Sequence, residues 1–291
     1  MIVNRQDRLT AILWDSVSEL ERLNDASTKW NIDHNNNRIT HFWDRDDKGR
    51  QWLGVDNVPQ LRKTIAEGWP DGVAKLEQIA LRDLASPASV RRRRIRGDQG
   101  DEVDMQAVWR GDLSRAWTRT RRQSRTGVRS ITLVIDLCAS WNITADQLFW
   151  RGASALRLAS ELLTAGYNVA IYGATGSANI DENNKVDCTQ LIEIKGEDSP
   201  FDIDRLAALT ALPGFFRTHL FGGICFAADH ANKRVDEGMG RPRNELIAEG
   251  IKLLPVPQNA FIQKDVLTKE SAEQWIESVI QQIESGNLEA A

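Results

Sequence analysis

The strongest apolar run in the chain is Ile131–Asp136, reading ITLVID. It is continuous and β-branched, the pattern of a strand buried on both faces, and an acid closes it. Residues 145–165 follow with Leu148, Ala153, Leu156, Ala159, Leu162 and Leu163 at helical spacing. Gly166 stands where a left-handed C-cap belongs. Asn168–Tyr172 is a second apolar strand. Strand, helix and strand in this order make a βαβ unit, which predicts an α/β fold with a mostly parallel, Rossmann-like sheet.

The pattern extends in both directions. Leu9, Ile12, Leu13, Val17, Leu20 and Leu23 recur at helical spacing and predict an amphipathic helix over 7–24. A polar loop at 31–37 and a hairpin within 39–55, turning at Asp47-Lys48-Gly49, are expected next. Asn57 is positioned to cap a helix over Val58–Glu67, which Gly68 ends. A second helix is predicted from Gly72 to Leu84. Beyond Tyr172, a turn-rich loop is expected over 173–184 and a third strand over Thr189–Ile194. Helices follow at Asp202–Leu212 and Phe215–Asp229, then a last strand at Ile251–Val256. An amphipathic C-terminal helix, Ser271–Ile283, carries Trp275, Val279, Ile280 and Ile283. The organisation read from this is a mainly helical region over 1–90, a connector over 91–129 and an α/β domain over 130–291.

Charge changes the picture in the connector. The 291-residue chain has net charge −4. Residues 91–129 hold twelve arginines and five acids, a local charge of +7, so the remainder carries −11. Arg91, Arg92, Arg93, Arg94, Arg119, Arg121 and Arg122 are the densest part of it. Such a block suits phosphate contacts, with Trp109 and Trp117 able to stack on bases; it equally suits a protein partner, or pairing with the acidic remainder of the chain.

Three cysteines with no CxxC fit a reducing, cytoplasm-like compartment. The first 23 residues are broken by Asp7, Arg8 and Asp15, so they do not read as a secretory signal, and no apolar run reaches membrane-spanning length. There is no GxSxG. The GATGS at 173–177 follows a strand but lacks the Lys-Ser/Thr ending of a phosphate loop.

The loop at the carboxyl end of the first strand, Asp136-Leu137-Cys138-Ala139-Ser140, is where an open sheet of this kind binds ligands. A strand ending in Asp-x-Ser-x-Ser resembles the metal-ion-dependent adhesion site of von Willebrand factor A domains. The resemblance covers about residues 128–285 and implies a magnesium site made by Asp136, Ser140 and Thr218. Cys138 stands where that family has the first serine, and a thiol is a poor ligand for a hard cation, so the site reads as degenerate. The stretches GWPDG at 68–72 and GDEVDMQAVWRGDLSRAW at 100–117, followed by the strand–helix–strand, resemble an uncharacterised bacteriophage-encoded family with an A-domain-like half. That resemblance implies work in a host cytoplasm or a virion. The wider A-domain class implies an AAA+ ATPase of the MoxR type as partner.

The function expected on these grounds is a non-catalytic protein-interaction or scaffold module. The competing reading is a nucleic-acid-binding accessory protein that uses the arginine-rich segment. A third is an enzyme at the Asp136 loop, with Cys138 paired to His219 or His230.

Overall fold

The computed structural model describes residues 1–23, 53–82, 84, 92–97, 102–113, 116–122, 130–140, 142–178, 186–233, 241–257, 259–263 and 265–285. The expected loop at 31–37, most of the hairpin within 39–55, and Arg91 lie outside them.

The α/β class is borne out. Strands β1 (Ile2–Gln6), β2 (Leu9–Trp14), β6 (Ser130–Asp136), β7 (Asn168–Ala178), β8 (Asp187–Lys195), β9 (Arg241–Pro242) and β10 (Phe261–Ile262) form one seven-stranded sheet. Its order is β1-β2-β8-β7-β6-β10, with β9 joined to β7. The sheet is mixed. β2/β8, β6/β7 and β6/β10 pair in parallel, whereas β1/β2, β7/β8 and β7/β9 are antiparallel. Strands β3 (Arg92–Gly97), β4 (Glu102–Val103) and β5 (Trp117–Arg122) make a separate antiparallel sheet in the order β3-β5-β4.

Helix Ala145–Ala165 links β6 to β7 as expected. Thr144 caps its start, accepting from the Gln147 N–H while Gln147 accepts from the Thr144 N–H, and Gly166 closes it at φ 98°. Asn57 caps Val58–Glu67 through a bond from the Gln60 N–H at 2.9 Å.

Strand alternation sends side chains to two faces. Ile131, Leu133, Ile135, Val169, Ile171, Ile12 and Trp14 join one core with Leu61, Leu156, Leu162, Leu206, Ile276 and Ile280 of four helices. Val134, Ala170, Tyr172, Ala11 and Leu191 meet Ile247 and Ile251 of helix Glu245–Leu253 on the other face.

Four expectations need correction. Residues 7–24 are not one helix: Leu9–Trp14 is a strand, Asp7 turns the hairpin at φ 51°, and only 17–23 are helical. Leu9, Ala11, Ile12 and Trp14 are all buried because both faces of β2 are covered, and this hides the alternation. Residues 173–178, read as loop, continue β7 against β8 and β9. Residues 251–253 end a helix, and the short strand beside β6 is Phe261–Ile262. The helix predicted over 72–84 is Pro70–Leu76.

Candidate functional site

The loop after β6 lies where β6 has β7 on one side and β10 on the other, the place where a sheet of this kind opens a crevice. Its centre is a buried ion pair. Asp136 is 1% exposed. Its Oδ1 accepts the Cys138 N–H at 2.9 Å, and its Oδ2 lies 3.3 Å from Nη1 of Arg151. The same Nη1 donates to the carbonyls of Asp136 (2.9 Å) and Cys138 (2.6 Å). Arg151 comes from the first turns of helix Ala145–Ala165 and is itself buried. One guanidinium thus ties the strand end, the acid and the loop together.

A second arginine does similar work one loop further on. Arg217, fully buried, donates from Nη2 to the carbonyls of Ser140 (3.3 Å) and Ile143 (2.8 Å). It sits in the π-helical turn Phe216–Leu220, between the short helix Pro213–Phe215 and Phe221–His230. Behind Arg151, the side-chain amide of Gln263 donates to Arg151 O at 2.8 Å and to Ser154 Oγ. Gly152 lets the helix approach its neighbour: a Cβ there would lie 2.3 Å from the Thr210 carbonyl.

Burial dominates the electrostatics. It pushes Asp136 up to about 6, against the opposing pull of Arg151 and the Cys138 N–H; Asp265 adds a smaller upward push. The Cys138 thiol is driven well above its ordinary value by burial first and by Asp136 second. Arg217 is lowered by burial to about 10 and stays charged at neutral pH.

These facts decide what the loop can hold. A divalent cation at Asp136 would share its carboxylate with a guanidinium that already supplies the positive charge. Thr218 donates its hydroxyl to Gly214 O at 2.6 Å and lies 2.8 Å from His219 Nδ1. Ser140 enters the loop network through its carbonyl. It is Arg217, not Thr218, that joins this segment to the Ser140 loop. The residues Asp136, Ser140 and Thr218 therefore do not fit a magnesium ion. Nor does Cys138 fit a nucleophile: it is 5% exposed and held as the thiol.

The second place is the small antiparallel sheet. Within the expected connector, Arg92–Gly97 pairs with Trp117–Arg122 over six positions, and Glu102–Val103 flanks Trp117 and Thr118. Asp104 caps helix Met105–Trp109 through the N–H groups of Gln106 and Ala107. Val103, Met105, Trp109, Leu113 and Trp117 are exposed, Trp109 at 81%. Among the described residues, Met1 and Ile2 are the other large apolar side chains that are exposed.

A family model for a domain of unknown function, DUF7192, matches residues 5–286. The chain belongs to this family. No curated protein and no solved structure matches it. The DUF7192 match runs from within β1 to just past helix Lys269–Ser285, so it takes in both the N-terminal hairpin and the arginine-rich module.

Arg151 and Arg217 escaped the sequence reading. Their signal was nonetheless there: each is a lone cation inside an apolar helical run, FWRGASAL and FFRTHLF. A charge at a core-facing position is rare unless paired.

Proposed function

We propose that this DUF7192 protein is a non-catalytic binding module. Its von Willebrand A-like sheet is the scaffold, and the small antiparallel sheet with helix Met105–Trp109 is the contact surface. One observation carries the reading: five of the seven exposed large apolar side chains among the described residues lie between Val103 and Trp117. Apolar side chains gathered in one exposed region mark interaction sites, and Trp is the commonest anchor of such sites. The Asp136 loop supports the non-catalytic half of the reading. Its acid is neutralised from within by Arg151, and its thiol is buried.

The test uses the full chain as bait, beside a Trp109→Ser, Leu113→Ser double variant. Both side chains are exposed, so the variant should melt at the wild-type temperature. Its bound material should be lost. An AAA+ ATPase of the MoxR type, the partner class implied by the resemblance, is the first candidate to look for. If the variant retains everything that the wild type retains, the contact surface lies elsewhere.

A further inference from the structure

The paired strands β3 and β5 break a local rule. Their sequences are RRRIRG and WTRTRR, seven arginines in twelve positions. The register sets Arg92 opposite Arg122 and Arg93 opposite Arg121. Like charges directly across an antiparallel pair are destabilising. The acid that the three strands contain is Glu102, opposite Thr118 at the other end of β5. A polyanion lying along such a ribbon would meet cations from both strands. Positions that break a local rule at a cost to stability are those where function is expected.

Two further features narrow the polyanion. Trp109 and Trp117 of the same module are exposed, Trp117 at 38% from the end of β5 itself. A basic strip with exposed aromatic rings is the recognition chemistry of single-stranded nucleic acid: cations follow the phosphates and rings stack on bases. In a duplex the base faces are hidden within the stack, so exposed tryptophans would find nothing to stack on. The charge partition agrees. The window 91–129 is +7 and the rest of the chain −11, so a polyanion is drawn to this module and repelled elsewhere.

We infer that the β3/β5 ribbon, with Trp109 and Trp117, binds single-stranded nucleic acid. The inference rests on the binding-module reading above and names its partner. Phosphates follow the arginine positions 92, 93, 94, 96, 119, 121 and 122, and bases stack on the two rings. Cations on phosphates and rings on base faces carry little base identity, so the binding is largely independent of sequence.

The test is fluorescence anisotropy of the full chain with labelled poly-dT and poly-U of about 16 nucleotides, the upper end of known site sizes. A duplex of the same length is the comparison, at about 50 and about 200 mM salt. Single strands should bind more tightly than duplex, and affinity should fall steeply with salt. Trp109→Ala should weaken binding by between about 5-fold and about 150-fold. An Arg94→Thr, Arg121→Thr variant keeps strand-forming residues and removes two cations. It should lower the salt slope by about 1.4, at ~0.7 per phosphate contact, while melting no lower than wild type. A contact that merely held the fold would show the opposite pair of effects. Failure to bind either single strand at the lower salt overturns the inference, as does duplex binding equal to single-strand binding, or an unchanged affinity in Trp109→Ala. The two readings separate cleanly. If the oligonucleotides do not bind but the Trp109→Ser, Leu113→Ser variant still loses a protein partner or a self-association seen by sedimentation, the contact surface stands and the nucleic acid falls.

Discussion

Asp136 offers the sharpest physical test, because burial and Arg151 pull its ionisation in opposite directions. Burial is the larger effect and raises the acid from 3.8 to about 6. Below about pH 4 the carboxyl is protonated in both the folded and the unfolded chain. Above about pH 6 it is ionised in both. In between only the folded form holds the proton, so folding takes one up, and stability must fall as pH rises through this window. At ~1.36 kcal/mol per pH unit, the swing from 3.8 to about 6 is about 3 kcal/mol.

Asp136→Asn removes the titration while keeping the shape and leaves Arg151 its two carbonyl acceptors. Urea unfolding of both proteins, followed by tryptophan emission from pH 4 to pH 8, gives a difference curve in which groups not coupled to Asp136 cancel. Relative to the variant, the wild type should lose about 2.4 kcal/mol from pH 4 to pH 7, the rest of the swing lying below pH 4. Parallel curves would refute the argument that burial sets this acid. A difference that grows in favour of the wild type would go further. It would show that Arg151 outweighs desolvation and that the acid lies below its ordinary value when folded.

Three other outcomes follow from the same geometry. With Arg151 as the internal cation, magnesium in place of chelator should leave the melting temperature unchanged; an upward shift that Asp136→Ala abolishes would restore a bound metal. Gly152→Ala should destabilise by about 1–3 kcal/mol or more in denaturant unfolding, since the new Cβ meets the Thr210 backbone at 2.3 Å and not a side chain that can turn away; wild-type stability would mean that the two helices stand further apart. All three cysteines are free and buried, and burial raises each of them, Cys225 to about 11. The folded chain should therefore be inert to a disulfide reagent near neutral pH and release three thiols only on unfolding, and rapid labelling of the folded protein would contradict this.

What the sequence reveals depends on whether local pattern and tertiary role agree. At Ile131–Ala165 they do. A β-branched run, Thr144 with Gln147, and Gly166 each favour the element that forms, and burial only reinforces them. At Leu9–Trp14 they conflict. A strand covered on both faces is apolar at nearly every position, and Leu9, Ile12 and Leu13 then satisfy helical spacing equally well. Nothing local indicates that Asp187–Lys195 waits 170-odd residues away as a parallel partner. The antiparallel course of β8 is equally non-local, since residues 173–178 look like a loop until β8 and β9 are set beside them. At the candidate site the strand-end acid was legible but its partner was not. Asp-x-Cys-x-Ser names possible ligands, whereas the cation that satisfies the acid is an arginine fifteen residues on, brought back by one helix.

The two sets of arginines show why residue type alone does not identify a site. Arg151 and Arg217 are buried, and between them they donate to four loop carbonyls: Asp136, Cys138, Ser140 and Ile143. Every contact that they make with the loop is intramolecular, so they fix the shape of the loop and use up the charge that a ligand there would need. The β3/β5 arginines follow the opposite logic. They are placed at opposing positions of a ladder whose strands contain a single acid, at its far end. A charge that the fold satisfies acts as structure; one that the fold leaves repelling its neighbour is available to a partner. By that criterion the ligand of this protein is to be sought on the small sheet, even though the crevice at the end of β6 is where an α/β sheet ordinarily binds one.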